Sequence, residues 1–357
     1  MKSTGKNSSL PERDDELSLR DPVLLREETE EDAVLNLSLR PHTFDDFIGQ
    51  RQLTENLKIA IAAAKSRGES MEHLILSGPP GLGKTTLAHI IAHEMHTKIT
   101  TTSGPAIERA GDLIGILTNL EQGDILFIDE IHRLSKVVEE FLYPAMEDYK
   151  IDFIIDKGPY AKTINFNLKP FTLIGATTRS GLLTAPLRSR FGMHYHLDFY
   201  PWEDLVRIIE ASAVSLGVNI DAASSASIAK RARGTPRVAN RLLRRVRDVV
   251  QIKGKGDCTA ELVEEALRMQ GIDQMGLDEV DRKVLRVIID TYDGGPVGIE
   301  SLAATLNEES DTIVDVVEPY LLKIGMLKRS SRGRMATKAA YEHLGKPLPP
   351  ADKELFT

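Results

Sequence analysis

The sequence predicts an α/β fold in which a parallel-sheet domain is followed by a small helical domain and a C-terminal winged helix. A glycine-rich loop stands between a strand-like run and a helical run near residue 80. Strand-like and helical patterns alternate up to about residue 200, and the later patterns are helical until two short strand-like runs near residue 330. Such alternation favours a parallel sheet covered by helices, with ligands at the carboxyl ends of the strands.

The apolar pattern justifies each element of the α/β domain, residues 37–200. A helix is predicted after Gly49-Gln50 and ends near Gly68, because its apolar residues recur at helical spacing. Ser135 is the predicted N-cap of a later helix that runs through Met146. The other predicted elements are strands over residues 73–77, 98–102, 124–129 and 171–176 and helices over residues 86–94 and 111–120.

One segment, residues 150–169, interrupts this alternation. Alternating apolar and polar residues lie on both sides of Lys157-Gly158-Pro159, which predicts a β-hairpin inserted before the next sheet strand. Ile154 falls on the face opposite Phe153, so the hairpin is apolar on both faces at one point. Such a surface suits the docking of a partner protein, but the pattern equally allows the hairpin to pack on its own domain.

Residues 201–273 predict a small helical domain. Thr235-Pro236 is a strong helix start, because a capping residue is followed by proline at the first helical position. The predicted helices cover residues 203–216, 222–232, 236–252 and 260–270.

Residues 274–345 predict three helices and two short strands near residues 325–329 and 334–337, the pattern of a winged helix. The wing has basic residues and no acidic one, which favours contact with DNA phosphates over a solvated hairpin. These basic residues are Lys328, Arg329, Arg332, Arg334 and Lys338.

The composition limits the class of protein. The chain has 357 residues, of which 41% are hydrophobic and 27% charged, and this length suits two or three domains. Its one cysteine, Cys258, excludes an internal disulfide and favours a reducing compartment. No apolar run approaches the roughly 20 residues of a membrane helix, and the N-terminal segment lacks the apolar core of a secretory signal. We therefore expect a cytoplasmic protein without a membrane partner.

The charge is unevenly distributed. The net charge is −8, and residues 1–36 hold ten acidic against five basic residues, which predicts a disordered acidic tail. A second tail is predicted over residues 346–357. Basic residues concentrate between Arg231 and Arg247 and between Lys328 and Lys338. Because local patches govern contact with nucleic acid, the negative total does not exclude it.

The stretch over residues 78–85 reads Gly-Pro-Pro-Gly-Leu-Gly-Lys-Thr, the phosphate loop of a nucleoside triphosphatase. Glycines such as Gly81 and Gly83 let backbone N–H groups face the phosphates, and the helix that follows turns its positive end to the same anion. We expect Lys84 to reach the β- and γ-phosphates and the hydroxyl of Thr85 to hold Mg²⁺.

Two further strand ends carry polar residues suited to the same chemistry. Asp129 can hold the Mg²⁺ shell and Glu130 can polarise an attacking water, because both follow a buried strand. His132 comes soon after, where a structural role fits at least as well. Thr177 and Thr178 end the neighbouring strand, where a hydroxyl can sense the γ-phosphate.

The order of the motifs resembles the AAA+ ATPases and, within them, the family of bacterial motors that drive Holliday junction branch migration. The resemblance covers about residues 39–345 and includes the phosphate loop, the acids after residue 128 and the run Ala-Thr-Thr-Arg over residues 176–179. Ser189-Arg190-Phe191 and Gly234-Thr235-Pro236-Arg237 complete it. Without the resemblance, Arg188, Arg190 and Arg237 would be read as surface charges.

The resemblance implies a Mg²⁺-dependent ATPase and DNA translocase that forms homohexameric rings on duplex DNA, with ATP bound between subunits. It implies that Arg190 is the arginine finger, with Arg188 as the second choice, and that Thr178 before Thr177 is the first sensor. Arg237 is then the second sensor. Further implied nucleotide contacts are Leu39, Arg40, Thr86, Glu147, Asp148, Tyr149 and Tyr200.

The resemblance also implies partners. The hairpin, through Ile154 and Ile155, corresponds to the one that docks on a RuvA-type junction-binding protein. Arg329 and Arg334 match wing residues that contact DNA. A RuvC-type junction resolvase is a further implied partner.

Three alternatives are weaker. Clamp-loader-like switches usually carry Ser-Arg-Cys where this chain has Ser189-Arg190-Phe191, and they end in a helical collar. An ATP-binding scaffold would not need Glu130, Lys84 and Arg190 together. A winged-helix transcriptional regulator leaves the inserted hairpin unexplained. We therefore expect an ATP-driven DNA motor of recombination and repair.

Overall fold

The computed structural model describes residues 39–154, 163–254 and 257–348. The predicted acidic tail, residues 1–36, lies outside these ranges, as does most of the predicted C-terminal tail. The predicted fold class is confirmed: a parallel sheet with helices is followed by a helical lid domain and a winged helix. No helix among the described residues is long and apolar enough to cross a membrane.

The central sheet has five parallel strands in the order β2-β3-β6-β1-β7. Their bounds are β1 Leu74–Ser77, β2 Ile99–Ser103, β3 Ile125–Asp129, β6 Thr172–Thr177 and β7 Met193–His196. The register sets Ser77 beside Thr177 and Ser103 beside Asp129, so the predicted polar strand ends share one edge. Sequence reasoning missed β7, because this short edge strand has no continuous apolar run.

Helices cover both faces of the sheet. Leu74 and Leu76 face one cluster of buried residues, whereas Ile75 faces the other, as the alternation of side chains along a strand requires. The helices of this domain are α1 Arg51–Arg67, α2 Lys84–Met95, α3 Ala110–Thr118, α4 Lys136–Glu147 and α5 Ala185–Ser189. Gly68 ends α1 in the left-handed conformation, and the Ser135 hydroxyl accepts from the Val138 N–H at 3.3 Å, as predicted.

The predicted hairpin is present in the part that the structure describes. Strands β4 (Lys150–Ile154) and β5 (Thr163–Asn167) pair antiparallel, with Lys150 opposite Asn167. Ile154 ends the described part of the first strand, and Ile155 lies outside the described residues. The predicted docking surface therefore stays a prediction.

The lid domain contains the four predicted helices and a short parallel pair of strands, β8 Asn219–Ile220 and β9 Asp257–Cys258. The helices are α6 Trp202–Leu216, α7 Ala222–Arg231, α8 Pro236–Lys253 and α9 Ala260–Met269. Thr235 precedes α8 as predicted, but its hydroxyl donates to the Ala232 carbonyl at 3.3 Å and does not cap the helix.

The winged helix has its own buried cluster of apolar side chains. Its third predicted helix begins earlier than expected, at Ser310, and contains a π-helical turn over Ile313–Val317. The elements are α10 Glu279–Asp290, α11 Ile299–Leu306, α12 Ser310–Thr312, α13 Glu318–Lys323, β10 Leu327–Ser330, β11 Gly333–Ala336 and α14 Lys338–His343.

Arg233 joins the lid to the winged helix. Its side chain is buried, and its guanidinium donates to the carboxylate of Asp281 and, at 2.8 Å, to the Gly276 carbonyl. The Asp278 carboxylate lies 3.4 Å away, and the Tyr320 ring stacks at 5.4 Å. Because Asp281 is itself buried, this arginine is its principal compensating charge.

Arg233→Met should therefore lower the free energy of unfolding by about 3–5 kcal/mol, because it leaves a buried carboxylate unpaired. Urea denaturation of the full chain, followed by circular dichroism, measures this. The control is Lys338→Met, which breaks the exposed 3.5 Å pair with Glu342 and should cost less than about 1 kcal/mol. Equal losses in the two variants would contradict the prediction.

Candidate nucleotide site

A cavity of about 490 Å³ lies between the polar edge of the sheet and the lid helices α6 and α8. It brings together most of the residues that the sequence predicted for ATP. Those that line it are Leu39, Arg40, Gly81, Gly83, Lys84, Thr85, Thr86, Asp129, Glu130, Thr178, Tyr200 and Arg237. The predicted contacts Glu147, Asp148, Tyr149 and Arg190 do not line it.

The phosphate loop holds Lys84 at the base of the cavity. Gly81 and Gly83 have positive φ angles of 79° and 102°, which glycine adopts at little cost. Lys84 is 7% exposed, and its ammonium donates to the carbonyls of Gly78 at 2.8 Å and Pro79 at 2.9 Å. Burial lowers the pKa of Lys84 to about 8, although the charges of Asp129 and Glu130 oppose this. The group therefore stays mainly cationic at neutral pH and suits a phosphate oxygen.

The carboxylate of Glu130 lies at the same edge. Glu130 follows β3 in the left-handed conformation, with φ 48°, and its N–H donates to the Asp129 carboxylate at 2.9 Å. The Thr178 hydroxyl donates to its Oε2 atom at 3.3 Å. Burial and then the charge of Asp129 raise the pKa of Glu130, although Lys84 and Thr178 oppose the shift. A carboxylate with a raised pKa is better suited to accept a proton than an ordinary glutamate.

The two threonines at the end of β6 have different surroundings. Thr178 lines the cavity, whereas Thr177 is fully buried and its hydroxyl lies 2.8 Å from Nδ1 of His132. The side chain of His132 is 5% exposed, and the same Nδ1 lies 3.1 Å from Oε2 of Glu130. His132 is thus packed behind the carboxylate and does not line the cavity.

The residues of the cavity fit a magnesium ion bound together with a nucleotide. The Thr85 hydroxyl at the start of α2 and the Asp129 carboxylate at the end of β3 both line it. Such hard oxygen donors are those that Mg²⁺ prefers, and Mg²⁺ takes its other ligands from waters and substrate phosphates. The described residues contain no cluster of three or more histidine, cysteine or acidic side chains that could hold a metal alone.

The cavity also includes residues that the sequence did not point to. Phe47 and Ile48 line it, and so does a face of the lid helix α6. The residues of that face are Ile208, Ala211, Ser212 and Ser215. Their spacing of three and four residues on a predicted helix was the available signal, but several faces of that helix fit it equally.

The lid contacts the phosphate loop directly. The Arg237 N–H donates to the Gly81 carbonyl at 3.3 Å, and a Cβ atom on Gly81 would lie 2.9 Å from the Cβ of Arg237. Tyr200 donates its hydroxyl to the Leu82 carbonyl at 3.3 Å. Its N–H donates to the Gly234 carbonyl at 2.8 Å. The shape of the cavity at the phosphate loop therefore depends on how closely the lid approaches that loop.

Arg190 belongs to a different surface. Its Nη1 donates to the Pro186 carbonyl at 2.7 Å, its Nε lies 3.1 Å from the Glu147 carboxylate, and its guanidinium stacks on Tyr143 at 4.2 Å. Arg188 is exposed and donates to the Ser180 carbonyl at 2.7 Å. Glu147 and Arg190, both predicted to border a nucleotide, therefore lie together, but away from the cavity of their own chain.

The two predicted DNA-contacting arginines share one acidic partner. Arg329 donates to the Glu318 carboxylate at 2.7 and 2.6 Å, and Arg334 donates to it at 2.9 and 3.2 Å. The Glu318 side chain is fully buried, and that of Arg329 is 50% exposed. Burial alone would raise the pKa of Glu318, but the two arginines outweigh it and hold the pKa below its ordinary value.

The phosphate loop, the acids at the end of β3 and the lid residue Arg237 line one cavity beside a parallel sheet. This arrangement defines the protein as an AAA+ ATPase, a class of nucleotide-binding protein. Three family profiles match: "Holliday junction DNA helicase RuvB P-loop domain" over residues 39–197, "RuvB AAA lid domain" over 200–273 and "RuvB C-terminal winged helix domain" over 274–345. The chain belongs to the RuvB family.

Individual relatives agree. The chain is 58% identical over 321 residues to the Holliday junction branch migration complex subunit RuvB of Desulfosudis oleivorans, covering 90% of this chain and 94% of the relative. It is 59% identical over 317 residues to that of Dehalococcoides mccartyi, covering 89% and 91%. The solved structure of the Thermotoga maritima RuvB Holliday junction branch migration motor matches with a TM-score of 0.82 and 51% identity, over 87% of this chain and 100% of that chain.

Gly81→Ala should weaken ATP binding. A Cβ atom in the left-handed conformation costs about 1–2 kcal/mol, and 1.4 kcal/mol is a factor of ten in affinity. Because the new methyl would also press on Arg237, we expect a loss of about tenfold or more, measured by titration with a fluorescent ATP analogue.

The matched control is Gly217→Ala, at a positive φ of 66° with no atom within 4 Å of the added methyl. It carries the same backbone strain outside the site and should bind ATP like the wild type. Weakened binding in both variants would mean that strain, not the contact between loop and lid, governs affinity.

Proposed function

We propose that this protein is an ATP-driven motor that moves duplex DNA and so drives branch migration of Holliday junctions, together with a RuvA-type junction-binding partner. The observation that carries the proposal is the contact of Thr178 with Glu130 in a cavity that also holds Lys84 and Arg237. The names of the relatives, which are subunits of branch migration complexes, supply the substrate. We place the activity in the cytoplasm, in recombination and repair of DNA.

The cavity residues divide the work of ATP hydrolysis. Glu130 orients the attacking water and accepts its proton, and the Thr178 hydroxyl holds that carboxylate and senses the γ-phosphate. Lys84 and Arg237 neutralise charge on the phosphates from the loop and the lid. Thr85 and Asp129 would hold Mg²⁺, which would neutralise charge that develops on the phosphate oxygens.

Arg190 acts on the nucleotide of a neighbouring subunit in a homohexameric ring. Its separation from the cavity of its own chain, beside Glu147, supports this assignment. Glu147, Asp148 and Tyr149 then border the neighbour's nucleotide from the same surface. An arginine supplied in trans is worth about 10³–10⁵ in rate, which couples hydrolysis between subunits.

The winged helix contacts DNA through Arg329 and Arg334. The half-exposed side chain of Arg329 supports this, since its guanidinium can reach a phosphate while Glu318 holds the Nε and Nη2 atoms. The β4–β5 hairpin, through Ile154 and Ile155, docks on the RuvA-type protein, and a RuvC-type resolvase acts on the same junctions. The presence of a winged helix argues against the clamp-loader alternative.

The decisive experiment is branch migration of a synthetic four-way junction with Mg²⁺-ATP and a RuvA-type protein. The wild type should convert the junction to duplex products, whereas Glu130→Gln should bind ATP and lose about 10²–10⁴ in hydrolysis rate because the base is gone. ATP hydrolysis by the wild type without junction movement would overturn the proposed function.

Arg190→Ala should bind ATP with wild-type affinity and lose about 10³-fold or more in turnover. Rings mixed from wild-type and Arg190→Ala subunits should lose activity faster than the fraction of wild type falls. The control is Arg188→Ala, which should retain turnover. Activity proportional to the wild-type fraction would exclude action in trans.

A further inference from the structure

Arg179 links the nucleotide site to the winged helix. It directly follows Thr178, and its own N–H donates to the Thr177 hydroxyl at 3.0 Å. Its guanidinium makes a two-bond fork with the Asp315 carboxylate, with Nε at 2.7 Å and Nη2 at 2.9 Å, and donates to Asp311 at 2.8 Å. A planar fork of this kind fixes both distance and orientation. The side chain is 24% exposed, so solvent screens this contact only partly.

The acidic side of this contact lies on the helical segment that also holds the wing. Asp311 belongs to α12 and Asp315 to the π-helical turn, and Glu318, three residues further on, begins α13. Glu318 binds both Arg329 and Arg334 through its buried carboxylate. Two sets of short polar contacts, joined by the helical segment between Asp315 and Glu318, therefore connect the end of β6 with the two strands of the wing.

Charged groups of the nucleotide site and of the winged helix also affect each other's pKa values. The charge of Asp315 raises the pKa of Lys84 against the larger effect of burial, and it also opposes the lowering of the pKa of His132. The charge of Arg179, in turn, slightly opposes the raised pKa of Arg329 that Glu318 produces. The Asp315 carboxylate of the winged helix thus lies close enough to the phosphate loop for its charge to act on Lys84.

We propose that Arg179, Asp315 and Glu318 are positioning residues that transmit the state of the nucleotide site to the DNA-contacting arginines of the wing. A shift of Thr178 on contact with the γ-phosphate moves Arg179 in the same backbone turn. The fork carries that shift to Asp315, and the helical segment carries it to Glu318, which sets the position of Arg329 and Arg334. The inference rests on the proposed function for two assignments, the γ-phosphate contact of Thr178 and the DNA contact of the wing.

Amide hydrogen exchange on the full chain, with ATPγS or ADP bound, tests the connection without DNA. In the wild type, exchange over residues 310–336 should differ between the two nucleotides, and a coupling of ordinary strength predicts about fivefold or more. Asp315→Asn and Arg179→Ala should remove most of that difference. Arg179→Lys, which keeps the charge without the fork, should retain part of it.

Glu342→Gln is the control, because it removes a carboxylate from an exposed ion pair of the same domain and should leave the difference unchanged. The proposal would be overturned if exchange in the wild type were the same with both nucleotides. It would also be overturned if Asp315→Asn and Arg179→Ala showed the same exchange difference as the wild type. Thermal melting of each variant identifies any that fails to fold. If Asp315→Asn and Arg179→Ala both fail, the test is Arg179→Lys, whose exchange difference between the two nucleotides should be smaller than that of the wild type.

The second readout is ATPase activity with and without linear duplex DNA. Asp315→Asn should lose about fivefold or more of the stimulation by DNA, taken for each protein as the ratio of turnover at saturating ATP with and without duplex. If the wild type neither binds nor responds to duplex but its exchange difference disappears in Asp315→Asn, the proposed function fails and the connection stands. If DNA stimulates both proteins equally, the connection fails and the proposed function stands.

Discussion

The structure depends on the parallel alignment of β1, β3 and β6. Parallel strands present their carboxyl ends at one edge, so Ser77, Asp129 and Thr177 lie within one residue of the same level although they come from distant parts of the sequence. The phosphate loop, the acidic pair and the threonine pair each extend one step beyond that edge. A shift of one residue in the register of β3 on β6 would separate Glu130 from Thr178, which are 48 residues apart in sequence.

The three domains are joined by different kinds of contact. The lid shares one continuous cluster of buried apolar residues with one face of the sheet, in which Leu87 and Leu242 both take part. The winged helix has a separate cluster, and its described polar links to the other two domains include the ion pairs of Arg179 and Arg233. Burial of apolar surface is non-directional and holds the lid on the sheet without fixing one orientation. A few ion pairs, by contrast, fix the orientation of the winged helix relative to its neighbours.

The sequence predicted what is local and periodic. The loop over residues 78–85, the acids at Asp129 and Glu130 and most helices follow from short patterns, and the structure contains them. It could not predict the lid face that lines the cavity, because helical spacing does not show which face of α6 meets the sheet domain. Strand β7 was not predicted from the sequence, because an edge strand does not need a continuous apolar run.

Contacts between distant charges were equally hidden. The wing was correctly seen to lack acidic residues, but Glu318 reaches it from the preceding helix. Arg179 stood within the resemblance as part of a strand-end motif, and nothing in its neighbours indicated a partner 136 residues away. Long-range ion pairs follow no periodic pattern, so a single sequence does not predict them.

With the proposed contact of Arg329 and Arg334 with DNA, the Glu318 carboxylate beneath them also bears on how long the wing stays bound to duplex. Two guanidinium groups over one buried carboxylate leave a single net positive charge, one less than the arginines alone would offer. Each charge placed on the phosphate backbone slows dissociation, because counterions must return when the protein leaves. In the proposed motor, each subunit would release one segment of duplex before it binds the next. A contact that fixes the orientation of the DNA with little net charge suits that cycle.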